Sequence, residues 1–387
     1  MSGEIFSTQN ILARLVAFDT TSRESNLALI GFVQNYLEGH GIASTLIHND
    51  AGTKANLYAT IGQQNVAGGI VLSGHTDVVP VDGQAWAGDP FQVHEQDGRL
   101  YGRGTADMKG FIASSLALVP EFVAGVGHIP LHLALSYDEE VGCLGVHSMV
   151  RHIAAHLPRP KAVIVGEPTM MRVVNSHKGI RTFTTEVTGL EAHSSTPHLG
   201  VNAIDVAVQL INFLHTLRSE MQARGDASGR FDPPYTSIHV GVIEGGAALN
   251  ILPRRCRFQW EIRPLPGQDP DEIAARFNAY AMETMLPPLR AISQQVDIVT
   301  RQRADVPPLA PQNGSPAEAL VTALRGSNAL HAVSYTTEAG IFQDAGIPAV
   351  LCGPGSIDQA HKPDEFIALS ELAACDAFLR QLLAAIA

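Results

Sequence analysis

The sequence predicts an α/β protein with a mainly parallel sheet, interrupted by an inserted α+β unit of ferredoxin-like order. Three observations carry this. Apolar strands alternate with amphipathic helices from the start of the chain to about Gly166 and again after Pro316. Between about 181 and 303 the rhythm changes to β-α-β-β-α-β, the order of a split βαβ unit. Finally, 387 residues exceed an ordinary single domain and suggest two. The expected division is 1–180 with 304–387 as one domain and 181–303 as the other.

The elements follow in order. Gln9 to Ala17 and Glu24 to Gly39 read as helices, the second stopping at a glycine. Strands are expected at Ala43–His48, Asn56–Ile61 and residues 70–74. The last is a run of Ile, Val and Leu bounded by glycines, which suits a strand covered on both faces. Gly110 to Phe122 should be helical, Ile129 to Tyr137 a strand, Gly145 to Ala155 a helix and Ala162 to Val165 a strand. In the insert, strands are expected at Arg181–Thr188, Thr236–Ile243, Arg255–Arg263 and Gln295–Thr300. Helices are expected there at Ala203–Arg218 and Asp271–Glu283. The α/β pattern resumes with a helix at Pro316–Leu324, a strand at Ala349–Leu351 and a closing helix at Leu369–Ile386.

Composition narrows the function. Hydrophobic residues make up 45% and charged residues 17%, enough for a sizeable core. A formal charge of −12 argues against nucleic-acid binding, which needs basic patches. The four cysteines, Cys143, Cys256, Cys352 and Cys375, form no C-x-x-C pair and suit reduced thiols in a cytoplasmic protein. The N-terminus has no basic and apolar leader pattern, and no apolar run approaches the length of a membrane span.

Five places offer metal-type ligands just after a strand or in a glycine-marked loop: His75, Asp107, the pair Glu139-Glu140, Glu167 and His361. Open α/β sheets gather functional groups at the carboxyl ends of their strands. One such site would be an ordinary polar loop; five in one sheet are hard to assign to chance. Oxygen and imidazole ligands without thiolate favour zinc, cobalt or manganese. Two histidines and three carboxylates suffice for two ions if one carboxylate bridges, an arrangement that serves hydrolysis with ions roughly 3.5–4 Å apart. If Glu140 binds metal, its neighbour Glu139 is left free as a general base. Asp77, two residues beyond His75, can orient the imidazole.

The motifs Ser73-Gly-His-Thr-Asp77-Val-Val-Pro80, Gly102-Arg-Gly-Thr-Ala-Asp107-Met-Lys-Gly110, Asp138-Glu-Glu-Val-Gly142, Gly166-Glu-Pro168 and Ala360-His361-Lys-Pro-Asp-Glu365 span nearly the whole chain. Together they resemble the di-zinc co-catalytic metallopeptidase and deacylase family, which includes acetylornithine deacetylases, succinyl-diaminopimelate desuccinylases, carboxypeptidase G-type enzymes and aminoacylases. The resemblance implies a metallopeptidase-like catalytic domain with two Zn2+, for which Co2+ would substitute. His75, Asp107 and Glu167 would hold one ion and Asp107, Glu140 and His361 the other. Glu139 would be the base and the Asp107-Met108 peptide would be cis.

The insert resembles the family's lid and dimerisation domain. His193, in Gly189-Leu-Glu-Ala-His193-Ser-Ser-Thr-Pro197, would help stabilise the oxyanion at a partner's centre in a homodimer. Lys178, Asn250 and Arg263 match substrate-holding positions. The segment Tyr335-Thr-Thr337-Glu338-Ala-Gly-Ile341 resembles the acetylornithine deacetylase branch, which implies Thr337 and Glu338 at the substrate; Glu338 would either attract a side-chain ammonium or support and cap its neighbours. Desuccinylases carry an arginine where this chain has Ile341, an apolar side chain that cannot grip a succinyl carboxylate. The expected substrate is a small N-acyl amino acid in arginine biosynthesis.

Overall fold

The computed structural model describes residues 5–387. The start of the leader reading, Met1 to Glu4, lies outside them. The chain forms two compact units. The first comprises the residues up to Ser176 with Leu309–Ala332 and Thr337–Ala387; the second is His177–Pro308 with Val333–Thr336. The change of unit falls at His177, slightly ahead of the Arg181 start expected from the pattern, and the short return at 333–336 left no trace in the periodicity.

In the first unit an eight-stranded sheet runs in the order Ser44–His48, Ala55–Ile61, Leu131–Ser136, Ile70–His75, Ala162–Pro168, Ala349–Gly353, Val174–His177, His331–Val333. The central four strands are parallel to one another. Every residue in them is buried, which is why they read as unbroken apolar runs. The flanking pairs on one side, Ser44–His48 with Ala55–Ile61 and Ala55–Ile61 with Leu131–Ser136, are antiparallel. Helices Thr8–Val16, Leu27–Gly39 and Leu369–Ile386 contribute Ile11, Leu15, Leu29, Val33, Phe378 and Leu382 to one continuous core with the sheet.

Several boundaries moved for local reasons. The second helix begins at Leu27 rather than Glu24, because Asn26 exchanges both amide hydrogen bonds with Ala55 on the neighbouring strand. The helix expected over Gly110–Phe122 is two, Gly110–Ala117 and Val119–Gly125, with a 44° bend and Pro120 in the first turn of the second. Short strands at His94–Gln96, Arg99–Tyr101 and Phe366–Ala368 form a separate small sheet that the sequence pattern did not show. Three residues are too few for a period to register.

The second unit is a four-stranded antiparallel sheet in the order Ser237–Gly245, Arg255–Arg263, Ile180–Thr188, Asp297–Val306. Helix Ala203–Arg224 starts at Asn202, whose side chain accepts from the Ile204 and Asp205 amides. Helix Pro270–Ala279 starts at Asp269, with proline in the first turn where a missing N–H costs nothing. Phe183, Phe258, Trp260 and Phe277 centre its own core. Among the described residues no single helix is long and apolar enough to cross a membrane. All four cysteines are buried and free.

Candidate metal centre

Each ligand candidate is placed by a strand end or by a loop that backbone hydrogen bonds hold in shape. His75 closes the strand Ile70–His75 and Glu167 sits near the end of Ala162–Pro168, its parallel neighbour. Glu139 and Glu140 follow the strand Leu131–Ser136. Asp107 lies in the turn Thr105–Lys109, and the Asp107-Met108 peptide is cis. Glycines let this turn seat against the sheet. A side chain at Gly74 would bring its Cβ to 2.8 Å from Met108 Cε, and one at Gly166 would overlap the Phe111 ring.

Two groups of potential ligand atoms result, each with its members within 4.8 Å of one another: His75, Asp107 and Glu167, and Asp107, Glu140 and His361. Asp107 belongs to both. Its Oδ1 stands 3.0 Å from His75 Nε2 and its Oδ2 3.4 Å from His361 Nε2, one oxygen toward each group. Glu140 Oε2 lies 3.0 Å from His361 Nε2 and Glu167 Oε1 4.0 Å from His75 Nε2.

The electrostatics of the cluster fit cations. Burial and neighbouring carboxylates push the Glu139, Glu140 and Glu167 carboxyls up. For Asp107 burial acts the same way, but hydrogen bonds from His361 and His75 outweigh it and hold the carboxyl well below its usual range. His361 is pushed up to about 10 by hydrogen bonds to Asp107 and Glu140. His75 is pulled down by burial, yet its hydrogen bond to Asp107 and the charges of Glu139, Asp107 and Glu167 raise it well above the ordinary value. Glu167 Oε1 is buried with no hydrogen-bond partner, a cost that a coordinated cation would remove. Three carboxylates and two imidazoles are hard-to-borderline donors suited to two divalent ions.

The surroundings correct one detail of the Asp77 assignment. The hydrogen bond on His75 Nδ1 runs to the main-chain carbonyl of Asp77 at 2.9 Å, while the Asp77 carboxylate is 3.7 Å away. That carboxylate instead accepts from the amides of Glu139 and Glu140, at 3.1 and 3.2 Å, and from Ser22 Oγ. Asp77 therefore orients His75 through its backbone and the Glu139-Glu140 turn through its side chain. Glu139 is half-buried, and its Oε1 accepts weakly from the Cys143 thiol at 3.5 Å.

Three of the substrate-holding candidates, Glu338, Thr337 and Lys178, are enclosed and bonded within the protein. Glu338 is fully buried and accepts from Ser73 Oγ and Ser136 Oγ, at 2.7 Å for the latter. It ties together the strands that carry His75 and Glu139 and has no surface to offer a substrate ammonium. Thr337 is 1% exposed, and its hydroxyl accepts from the Ala339 amide at the start of helix Ala339–Asp344. Lys178 is 1% exposed, and its ammonium donates to the Pro233 and Tyr235 carbonyls at 2.7 and 2.8 Å, a strut within the second unit. The sequence did not show that the Thr337-Glu338 segment is enclosed.

The other second-unit candidates are accessible. His193 is exposed and its side chain bonds only within its own turn, with Nδ1 2.7 Å from Ser195 Oγ. Asn250 is exposed and its carbonyl accepts from the Ser194 amide, while an antiparallel bridge joins His193 to Ile251, so the two motifs share one corner. Arg263 is half-buried and donates to Glu261 at 2.8 Å.

Residues that the sequence reading passed over complete the surroundings. Lys54 pairs with Asp138, which has a left-handed φ of 56°. Arg103 and Glu365 form a buried pair beside the Asp107 turn, extended by the half-buried Gln84. Glu365 was quoted in a motif, but nothing in its spacing distinguished it from an ordinary acidic loop residue.

Peptidase family M20/M25/M40 matches residues 71–385. The acetylornithine deacetylase of Myxococcus xanthus is 37% identical to this chain, covering 99% of it and 98% of the relative. That of Proteus mirabilis is also 37% identical, over 91% of this chain and 88% of the relative. Among solved structures, the M20 family metallo-carboxypeptidase Sso-CP2 from Sulfolobus solfataricus superposes with a TM-score of 0.76 at 18% identity, covering 98% of this chain and 99% of that one. Human carnosine dipeptidase 1 gives 0.71 at 16% identity, over 97% and 96%. These two likenesses confirm the fold, a mixed α/β architecture with a largely parallel sheet.

Proposed function

The chain belongs to peptidase family M20/M25/M40 and is a metal-dependent amide hydrolase of that family; from this premise we propose that it is an acetylornithine deacetylase, releasing acetate and ornithine from N2-acetyl-L-ornithine. One observation carries the two-metal reading: Asp107 directs one carboxylate oxygen to each ligand group. His75, Asp107 and Glu167 would hold one zinc ion, and Asp107, Glu140 and His361 the other, with cobalt a working substitute. When bound, the ions supply Lewis acidity that polarises the acyl carbonyl and acidifies water.

The chain's own groups do the rest. Glu139 takes the proton from the attacking water and returns it to the leaving α-amine. Burial favours its protonated form, which suits a group that must accept and then release a proton. Asp77 holds the Glu139 and Glu140 amides so that one carboxylate points to the centre and the other stays free. In the second unit, the strand Ser237–Gly245 is an uncovered sheet edge, and Val242, Ile243, Leu249 and Ile251 are exposed on or near it. This supports a homodimer through the second unit, in which His193 would donate to the oxyanion at the partner's centre and Asn250 and Arg263 would hold substrate. The products place the reaction in arginine biosynthesis, and free buried thiols suit the cytoplasm.

The deacetylase reading rests on the relatives rather than on Glu338. Ile341, buried in helix Ala339–Asp344, carries no more weight in the choice of acyl group than Glu338 does. The deciding assay reloads metal-stripped protein with zinc or cobalt and compares N-acetylornithine, N-succinyl-diaminopimelate and short peptides. The expected result is the highest kcat/KM on N-acetylornithine. A preference for the succinyl substrate or for peptides would overturn the assignment while leaving the hydrolase class intact.

A further inference from the structure

Three separate segments meet beside the centre: residues 84–87, 102–107 and 361–365. Their junction is the Glu365 carboxylate, 1% exposed. Its Oε1 accepts from the Ala106 and Asp107 amides at 2.8 and 3.1 Å. Its Oε2 accepts from the Gly104 amide at 3.0 Å and from Arg103 Nη1 at 2.8 Å. These four donors fill the acceptor sites of a carboxylate. The main chain is fixed as well, since the Glu365 carbonyl accepts from the Gly102 amide at 2.9 Å and Phe366 pairs with Tyr101 in the small sheet.

The network continues outward. Arg103, also 1% exposed, lies over the Trp86 ring at 5.0 Å and donates through Nη2 to Gln84 Oε1 at 2.6 Å. Gln84 Nε2 donates in turn to the main-chain carbonyl of His361 at 2.9 Å. The Ala87 amide donates to Asp364 at 2.9 Å. His361 needs such support, because its backbone is left-handed with φ 64° and its side chain is 54% exposed.

We propose that Glu365 is the positioning residue of this centre: it fixes the turn that carries Asp107 and, through Arg103 and Gln84, the main chain that carries His361. This rests on reading the cluster as a metal centre. Glu365 touches neither substrate nor ligand atoms. It sets the distance between two ligands that come from chain segments far apart in sequence. A mere turn cap would not require the link through Gln84 to His361. A glutamine at 365 would present an amide N–H to donors at one end of the cradle, so the exchange removes acceptor capacity with little change of shape.

The test is metal affinity of the whole protein, read separately from turnover. Stripped protein is titrated calorimetrically with Zn2+ in the presence of a competing chelator, and the His361→Ala variant marks which binding event is the His361 side. Loss of groups that orient metal ligands typically weakens binding about 10–100-fold. Gln84→Ala, at a half-buried side chain, should weaken the His361-side event about 10-fold and leave the other as in the wild type. Glu365→Gln should weaken both events, because Asp107 serves both. If Glu365→Gln fails to fold by circular dichroism, Gln84→Ala decides alone. Wild-type affinity at the His361 side in folded Gln84→Ala, or at both sites in folded Glu365→Gln, would overturn the proposal. A wild-type protein that binds two ions yet does not hydrolyse N-acetylornithine would break the deacetylase assignment and leave the positioning role standing.

Discussion

The His75-Asp107-Glu167 group of the first unit and the His193 corner of the second are built in opposite ways. His75, Asp107 and Glu167 are buried, and His75 and Asp107 are held by groups that are themselves buried: the Asp77 carbonyl and the Glu365 carboxylate. His193 is exposed, and its hydrogen bonds stay within its own turn. If both act as proposed, the contrast separates two tasks. A centre that must hold two cations at a fixed spacing has its geometry set before anything binds. A donor needed only as charge develops on an oxyanion can wait on a loop and be brought into place by closure.

The strongest break of this comparison is Asp107→Ala. If the first unit is prebuilt around a shared carboxylate, this one change should remove both ions and abolish turnover, as read by elemental analysis and assay of the repurified protein. Two tightly held ions in the variant would sink the bridging role. Next come the two groups assigned to proton and charge transfer. Glu139→Gln should keep its metals and lose about 10²–10⁴ in kcat. His193→Ala should lose about 10²–10³. Mixing these two inactive variants sharpens the contrast, because a mixed dimer has one centre with an intact Glu139 and an intact partner His193. Recovered activity supports action across the dimer. Demonstrated mixed dimers without activity would reject it.

A smaller effect separates support from recognition within the first unit. Glu338→Gln places an amide N–H against one of two serine hydroxyls that now donate to a carboxylate. We expect a loss of about 1–3 kcal/mol in urea unfolding. Discrimination between N-acetylornithine and neutral N-acetylamino acids should stay unchanged. A selective loss of discrimination would return Glu338 to the substrate.

What the sequence revealed follows the same divide. Strand ends such as His75 and Glu167 were legible because an apolar run ending in a lone ligand residue reports both position and chemistry. The insert was legible because nine-residue strands such as Ile180–Thr188 and Arg255–Arg263 alternate on one wet face. Burial of polar side chains was not. Lys178, Thr337 and Glu338 looked like contacts for substrate because their partners, the Pro233 carbonyl, the Ala339 amide and the Ser73 hydroxyl, reveal themselves only in the folded chain. For the same reason Gln84 and Arg103 went unread: no local pattern joins residues 84 and 103 to residue 361.

The smallest expected effect concerns two buried histidines, both on strands of the eight-stranded sheet. His132, 4% exposed on the sheet of the first unit, stacks on Tyr58 and hydrogen-bonds Thr60 through Nδ1. His177, fully buried at the end of the strand Val174–His177, hydrogen-bonds the Lys178 carbonyl. In both rings Nε2 is buried without a partner. Burial pulls each down to about 4, against an ordinary value near 6.5. On acidification the unfolded chain therefore takes up these protons first. The stability associated with the neutral rings is complete above about pH 6.5 and is lost progressively as pH falls toward 4. At pH 5.5 each ring costs about 1.4 kcal/mol, one pH unit of one proton. Urea midpoints of metal-free protein measured between pH 7.5 and 5 should fall with this slope. His132→Leu and His177→Leu should each flatten it. An unchanged slope in both variants would place the acid sensitivity elsewhere, and a change in only one would show which of the two rings stays neutral.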